Sequence, residues 1–170
     1  MPEPKSPKPN FETVITDLFD GDMLQNALDF AASLRDNKIA IARASGDAWK
    51  ITYKGKGLGR ILWLGKNTWA VETYRDESQE FADFIKNENL QEIMWDNIFQ
   101  CRGCNPKLCA GQANKPEEGF TGFTKTFFGK EFTNTCKHWV GGVFRNPDAK
   151  TINCIEKVLD FKKLMIMNYG

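Results

Sequence analysis

The sequence predicts an α+β fold, in which helices pack with a three-stranded antiparallel sheet and an irregular cysteine-rich loop module is added. Three observations lead to this prediction. Apolar residues recur at helical spacing near both ends of the chain, they alternate with polar residues through 49–74, and four of the five cysteines fall in 100–145. At 170 residues, the chain has the length of one domain, or of one domain with a small satellite.

Two helices are expected before the sheet. Residues 1–10 are polar and rich in proline, so we expect an extended or disordered arm. Asn10 is suited to cap a helix that begins at Phe11, and a second apolar stripe runs over 23–35. Gly21 separates the two stripes, so the pattern indicates two consecutive helices or one helix kinked at this glycine.

The sheet is predicted from alternation with a period of two. Trp49, Ile51 and Tyr53 fall on one side of a strand, and two further strands follow at 61–64 and 69–74. Short turns connect the three strands, which is typical of an antiparallel meander. The segment before them, 37–45, is ambiguous because its isoleucines alternate like a strand while its alanines suit a helix or a packed loop.

Helices are expected again after the sheet. One can be capped by Asp76 or Ser78, and another reaches Phe99, which completes a core of residues 11–99. Residues 100–145 show little periodicity and are expected to be irregular. Asn146-Pro147-Asp148 is typical of a helix start, with Asn146 as the cap and Pro147 as the first helical residue. Residues 146–170 are therefore predicted to form a C-terminal helix that packs on the core.

The cysteines of the irregular segment predict a metal site. Cys101 and Cys104 form a C-x2-C pair around a glycine, a spacing that lets two thiolates converge on one ion. Cys109 follows within reach, Cys136 can complete a tetrahedral set of four thiolates, and His138 is the substitute fourth ligand. A segment with so few regularly spaced apolar residues needs a bound metal ion to be ordered. The predicted cofactor is a structural zinc ion.

Other interpretations of the same cysteines stay open. Cys101 and Cys104 alone can form a redox-active dithiol, although the βαβ context of a thioredoxin-like fold is absent. The set can instead hold an iron–sulfur cluster, or the cysteines can be ordinary reduced loop residues. A secreted disulfide framework is not expected, because the cysteine count is odd and no signal peptide is seen. Cys154 lies among apolar residues of the last helix and is expected to be a core residue.

No catalytic arrangement can be assigned from the sequence. His138 is the only histidine, so any Ser-His-Asp combination would be arbitrary. The glycines at 55, 57 and 59 precede a strand rather than a helix, which indicates a hairpin turn rather than a phosphate-binding loop. Whether the protein is an enzyme is left open, and the balance of these observations favours a non-enzymatic protein.

Two binding surfaces are candidates on the predicted sheet. Trp49, Tyr53 and Trp69 lie on strands and could line a pocket for a ligand, with core packing as the alternative for each. The hairpin at 49–66 carries bases and no acid, and its candidate contacts to nucleic acid are Lys50, Lys54, Lys56 and Arg60. Alternation also suits a solvated sheet face, and the net charge is only +1, so we do not expect nucleic-acid binding.

Several segments of the chain carry a resemblance to known proteins. They are Ala-Ser-Gly-Asp-Ala-Trp-Lys-Ile-Thr-Tyr-Lys-Gly-Lys at 44–56, the C-x2-C-x4-C run from Cys101 to Cys109, Phe-Gly-Lys-Glu-Phe at 128–132 followed by Cys136, and Asn-Pro-Asp at 146–148. Together they resemble a group of small uncharacterised bacterial proteins, mainly from anaerobic Firmicutes, over most of residues 30–165. The resemblance implies a bacterial cytoplasmic origin and that the four cysteines form a set, and it implies no activity.

The predicted function is a non-enzymatic, zinc-stabilised module that binds a small molecule or a partner protein. The alternatives are a thiol redox protein or enzyme that uses Cys101 and Cys104, and a nucleic-acid-binding accessory protein that uses the basic hairpin. No apolar run approaches the length of a membrane span, and the first residues lack the apolar core of a signal peptide. We therefore expect a cytoplasmic protein with no membrane contact.

Overall fold

The computed structural model describes residues 10–44, 47–101, 122–135 and 140–169. Within these residues the helices and strands follow one another in the order α1 (Phe11–Leu18), α2 (Gly21–Asp36), β1 (Ala40–Arg43), β2 (Ala48–Tyr53), β3 (Lys56–Gly65), β4 (Thr68–Tyr74), α3 (Gln79–Asn87), α4 (Gln91–Asp96), β5 (Phe123–Phe127), β6 (Lys130–Thr135), β7 (Val140–Arg145) and α5 (Ala149–Tyr169). None of the described helices is both long enough and apolar enough to cross a membrane.

The main sheet has five strands in the order β1-β2-β3-β4-β7, and β5 and β6 form a separate two-stranded sheet. β1, β2 and β3 pair antiparallel, so the mixture of helices with an antiparallel sheet is confirmed. The prediction of three strands is wrong. β1 lies in the segment that the sequence left ambiguous, and β7 lies in the segment interpreted as irregular.

Glycine and aromatic residues explain why the sequence pattern did not predict the strands within 123–145. β7 contains Gly141 and Gly142, which have no side chain to alternate. A Cβ added at Gly142 would lie 2.9 Å from the ring of Phe144, so the strand needs this glycine for close packing. β5 and β6 are joined by a turn at Phe128-Gly129, where both residues have positive φ. Phenylalanine is unusual at such a position, so the turn was not recognised.

The chain divides into two compact units. The first, here called unit 1, comprises Met1–Val71 with Arg145–Gly170. Its helices contact one another and the sheet, with α2 against α1 and α5, and α5 against β3. The predicted alternation in β2 is confirmed, because Trp49, Ile51 and Tyr53 are buried while Lys50 is exposed. Ile155, Val158 and Leu159 of α5 are also fully buried and complete this core.

The start of α5 differs from the sequence prediction by two residues. Asp148, not Asn146, is the cap, because its Oδ1 accepts a hydrogen bond from the Thr151 backbone N–H at 2.8 Å. Asn146 has φ +41 and its Oδ1 accepts from the Trp69 backbone N–H at 2.9 Å. The Asn146 backbone N–H donates in return to the Trp69 carbonyl at 2.9 Å. The asparagine that looked like a cap therefore fastens the chain to β4.

Unit 2 comprises Glu72–Phe144. Ser78 caps α3, since its Oγ accepts from the Phe81 backbone N–H at 3.2 Å, while Asp76 accepts from Ser78. The β5–β6 hairpin packs through aromatic rings, with the Phe81 and Phe128 centroids 5.8 Å apart. The Trp95 indole N–H also donates to the Phe127 carbonyl at 2.8 Å. The hairpin is thus joined to α3 by an apolar contact and to α4 by a hydrogen bond.

Candidate functional site

Cys101 is the described member of the predicted metal-binding set, and its backbone is fastened to β6. Its N–H donates to the Asn134 carbonyl at 2.8 Å, and the Asn134 side-chain amide donates to the Cys101 carbonyl at 3.4 Å. An isolated antiparallel bridge between Gln100 and Thr135 precedes these contacts. Cys101 therefore lies beside the last residues of β6.

Gly122, which directly follows residues 102–121, lies beside Cys101, which directly precedes them. Its N–H donates to Asn134 Oδ1 at 2.8 Å. A Cβ added at Gly122 would lie 2.3 Å from the Thr135 carbonyl oxygen and 2.6 Å from Cys101 Cβ, so a side chain at residue 122 would collide with both. We call the contact between Cys101, Gly122, Asn134 and Thr135 the junction. It holds together two positions that are 21 residues apart in number, Cys101 and Gly122, next to the end of β6.

The remaining predicted ligands, Cys104, Cys109, Cys136 and His138, lie outside the described residues. Among the residues that are described, no three His, Cys, Asp or Glu side chains are grouped so as to hold a metal ion. This result does not test the four-cysteine set, because Cys101 is the one member of the set that is described. The zinc site and its alternatives, the redox dithiol and the iron–sulfur cluster, stay predictions.

Cys154 is a core residue, as the sequence predicted. Its side chain is 1% exposed within α5, and burial raises the pKa of its thiol to about 11. A thiol with such a pKa stays protonated near neutral pH and is a poor ligand and nucleophile. Cys154 is therefore the natural control for experiments on the other cysteines.

The aromatic residues predicted to bind a ligand lie in the core of unit 1. Trp49 and Trp69 are each 1% exposed and Tyr53 is 8% exposed. Trp49 packs edge-on against Phe11 with ring centroids 5.1 Å apart, and the indole N–H groups of both tryptophans have no hydrogen-bond partner in the described part of the chain. Core packing, the alternative that the sequence left open, accounts for these contacts. A direct role in ligand binding stays a prediction.

The basic hairpin presents its charges as alternation predicts. Lys50 and Arg60 face each other across β2 and β3, which places both side chains on one face of the sheet, while the neighbouring Trp49 is buried. Lys50, Lys54 and Lys56 are exposed, and Arg60 is half-buried. This arrangement is that of a solvated sheet face. Our expectation that it does not bind nucleic acid stays a prediction.

A cleft lies between α1, α2 and β1 in unit 1. Its volume is about 510 Å³, and it is lined by Asn10, Phe11, Glu12, Ala31, Arg35, Ile39, Ala40 and Ile41. Three of the lining residues, Phe11, Ala31 and Ile39, are buried and present little surface to the cleft. Asn10 lies at the start of α1, where its Oδ1 accepts from the Thr13 backbone N–H at 2.8 Å. The volume is within the range of small-molecule sites.

An ion pair marks the rim of this cleft. Arg35 Nη2 donates to Glu12 Oε1, and their side chains are 66% and 30% exposed, respectively. The pair joins residues 23 positions apart, in two different helices. Helical periodicity placed both residues on helices, but no local pattern could pair them. Sequence reasoning therefore missed the cleft.

A smaller cavity of about 250 Å³ lies in unit 2, beside the start of α3. It is lined by Asp76, Glu77, Ser78, Ala82, Thr126, Phe127 and Phe128. Glu77 accepts from Arg75 and, at 2.8 Å, from Lys125 Nζ. Two bases of the same unit thus already neutralise this carboxylate, and the α1–α2–β1 cleft is the better candidate for a ligand.

Comparison of the chain with protein-family models, with curated protein sequences and with solved structures finds no match in any of the three. The resemblance to small bacterial proteins consequently stays a prediction.

Proposed function

We propose that the chain is a non-enzymatic binding module with two parts. A structural zinc ion held by Cys101, Cys104, Cys109 and Cys136 stabilises the cysteine segment, residues 101–136. A small molecule occupies the cleft between α1, α2 and β1. The two parts lie in different units, so each is tested by its own measurement.

The junction is the observation that carries the zinc proposal. It joins Cys101 to the end of β6, and Cys136 directly follows Thr135 in the sequence. Gly122 lies at the same point, so both described flanks of the segment that contains Cys104 and Cys109 meet there. This meeting of the flanks supports the proposal that the four thiolates share one ion.

Four thiolates would leave no open coordination position on zinc. Catalytic zinc sites generally keep one position for water or substrate, whereas sites of four cysteines are closed and structural. The chemistry of the predicted donor set therefore supports a stabilising role rather than a catalytic one. It also agrees with the lack of a Ser-His-Asp arrangement that could be assigned from the sequence.

The test of the zinc proposal is elemental analysis of the purified chain together with serine variants. We expect one zinc ion per chain, and loss of zinc in Cys101→Ser, Cys104→Ser, Cys109→Ser and Cys136→Ser. Cys154→Ala is the matched control and should retain the metal, because Cys154 is buried within α5.

Three results would contradict the zinc proposal. Full zinc content in Cys136→Ser would remove this residue from the ligand set and bring forward the substitute ligand, His138. A visible absorption band with stoichiometric iron would favour the iron–sulfur alternative. A metal-free protein in which Cys101 and Cys104 interconvert reversibly between dithiol and disulfide would favour the redox alternative.

A further inference from the structure

The lining of the α1–α2–β1 cleft restricts what can bind there. Phe11, Ala31 and Ile39 are 2%, 0% and 3% exposed, so they close its base but present little surface to a ligand. Glu12 and Arg35, which also line the cleft, are more exposed and supply charged groups. A ligand of this cleft is therefore recognised chiefly through a charged or polar group.

Arg35 can offer hydrogen bonds that Glu12 does not use. A guanidinium has five N–H donors in a planar fork, and the contact to Glu12 engages Nη2. Its side chain is 66% exposed, so the remaining donors face solvent at the cleft. Arg43 on β1 differs because its guanidinium lies 4.3 Å from the ring centroid of Trp49 and pairs with Asp47 at 3.7 Å. Arg35 is thus the arginine that remains available to a ligand in the cleft.

Glu12 shows which chemical group suits Arg35. Its carboxylate is the partner that the chain itself supplies, and carboxylates match the guanidinium fork better than other anions of small molecules, phosphate excepted. Glu12 is 30% exposed on the first turn of α1, from which its side chain can turn away into solvent. A ligand carboxylate can then take its place.

We propose that the cleft binds a small monocarboxylate, that Arg35 holds the carboxylate, and that Glu12 is a built-in competitor for the same guanidinium. This inference rests on the small-molecule part of the proposed function and does not depend on zinc. It leads to opposite effects of two neighbouring substitutions. Removing Arg35 weakens binding, and removing the charge of Glu12 strengthens it. A cationic ligand would reverse both signs.

The experiment uses straight-chain monocarboxylates from butanoate to decanoate, with the corresponding alcohols and amines, added to the full chain. Two-dimensional NMR follows the backbone amides of Ile39, Ala40 and Ile41. We expect saturable shifts at these residues with the carboxylates. Affinity should fall at least tenfold for the alcohols and for Arg35→Ala, since a charge-assisted hydrogen bond is lost. It should rise roughly threefold or more for Glu12→Gln, and Arg35→Lys should give an intermediate value.

Two variants control for effects that are not local. Arg145→Gln removes the same charge from an exposed position of unit 1 outside the cleft and should leave affinity unchanged. Ala40→Phe adds a ring from an exposed position that lines the cleft and should block binding without disturbing the core. The same spectra report whether each variant is folded.

The inference is overturned if carboxylates and alcohols bind equally, if Glu12→Gln weakens binding, or if the amines bind in place of the acids. It is also overturned if no carboxylate produces saturable shifts at millimolar concentration. Zinc content is measured on the same samples. A zinc-bound protein that ignores all carboxylates would refute this inference alone, whereas a zinc-free protein that binds them would refute the metal part of the proposed function alone.

Discussion

The substitution Gly122→Ala should disrupt the junction. The added Cβ would lie 2.3 Å from the Thr135 carbonyl oxygen and 2.6 Å from Cys101 Cβ, both far below normal contact distances. The first atom belongs to the backbone and the second is attached directly to it, so neither can rotate away. The backbone at residue 122 must therefore move away from β6.

The size of the effect follows from the contacts that this movement breaks. Overpacking of a close contact costs about 1–3 kcal/mol. Two hydrogen bonds to Asn134, from the N–H groups of Gly122 and Cys101, are both 2.8 Å long and contribute about 1 kcal/mol each. Because these contributions overlap, we expect the free energy of opening the junction to fall by about 2–3 kcal/mol. This corresponds to roughly 30- to 150-fold faster hydrogen exchange.

The assay is hydrogen exchange at the backbone amides of Cys101 and of position 122, measured under native conditions in the wild-type chain and in the variant. Gly141→Ala is the matched control, because a Cβ at that position would have its nearest neighbour at 3.4 Å, an ordinary contact. In the control, we expect the free energy of opening the junction to fall by less than about 1 kcal/mol. The reasoning would be refuted if the Cys101 amide kept its protection in Gly122→Ala, or if both variants exchanged equally fast.

Three more predictions concern the metal, the buried thiol and the helix cap. Chelation should speed hydrogen exchange at the junction first and spare α1, α2 and α5, whereas uniform loss of protection would mean that the metal site is integral to the core. Burial raises the pKa of Cys154 to about 11, so a thiol reagent near neutral pH should modify it only after denaturation, and rapid reaction in the folded chain would contradict this assignment. Hydrogen bonds from the side chain and backbone of Thr151 lower the pKa of Asp148 below its ordinary value of 3.8. The charged cap therefore stabilises the fold above that pH, and its contribution is lost as the pH falls through the lowered pKa. The stability difference between the wild-type chain and Asp148→Asn, which does not titrate, should change only below about pH 4, and a change near neutral pH would refute this origin.

The sequence was informative wherever the structure is decided by neighbours along the chain. The alternation of Trp49, Ile51 and Tyr53 predicted β2. Residue type predicted Asn10 as one cap and Asp76 or Ser78 as another, and Asn10 and Ser78 each accept from an N–H three residues ahead. These features need only a few consecutive residues. They are the parts of the fold that the structure confirms.

The sequence was less informative where distant residues decide the outcome. Asn146 has the properties of a cap, yet its side chain accepts a hydrogen bond from a residue 77 positions away. β7 joins the sheet beside β4 although its glycines give no strand pattern. The ion pair of Glu12 and Arg35, and with it the cleft, arises from the packing of two helices. Periodicity locates such helices but does not predict which of their surface residues meet.

The arrangement of the two units in the chain has a consequence for synthesis. Unit 2 is encoded between the two parts of unit 1, so the ribosome makes β1 to β3 first and α5 only after all of unit 2. Until α5 emerges, unit 1 lacks Ile155, Val158 and Leu159, which are fully buried in the finished fold. At about 5–20 residues per second, the nascent chain leaves the surfaces of β3 and α2 that α5 contacts uncovered for several seconds. We expect this interval to be when the protein is most prone to aggregate and when chaperones bind it.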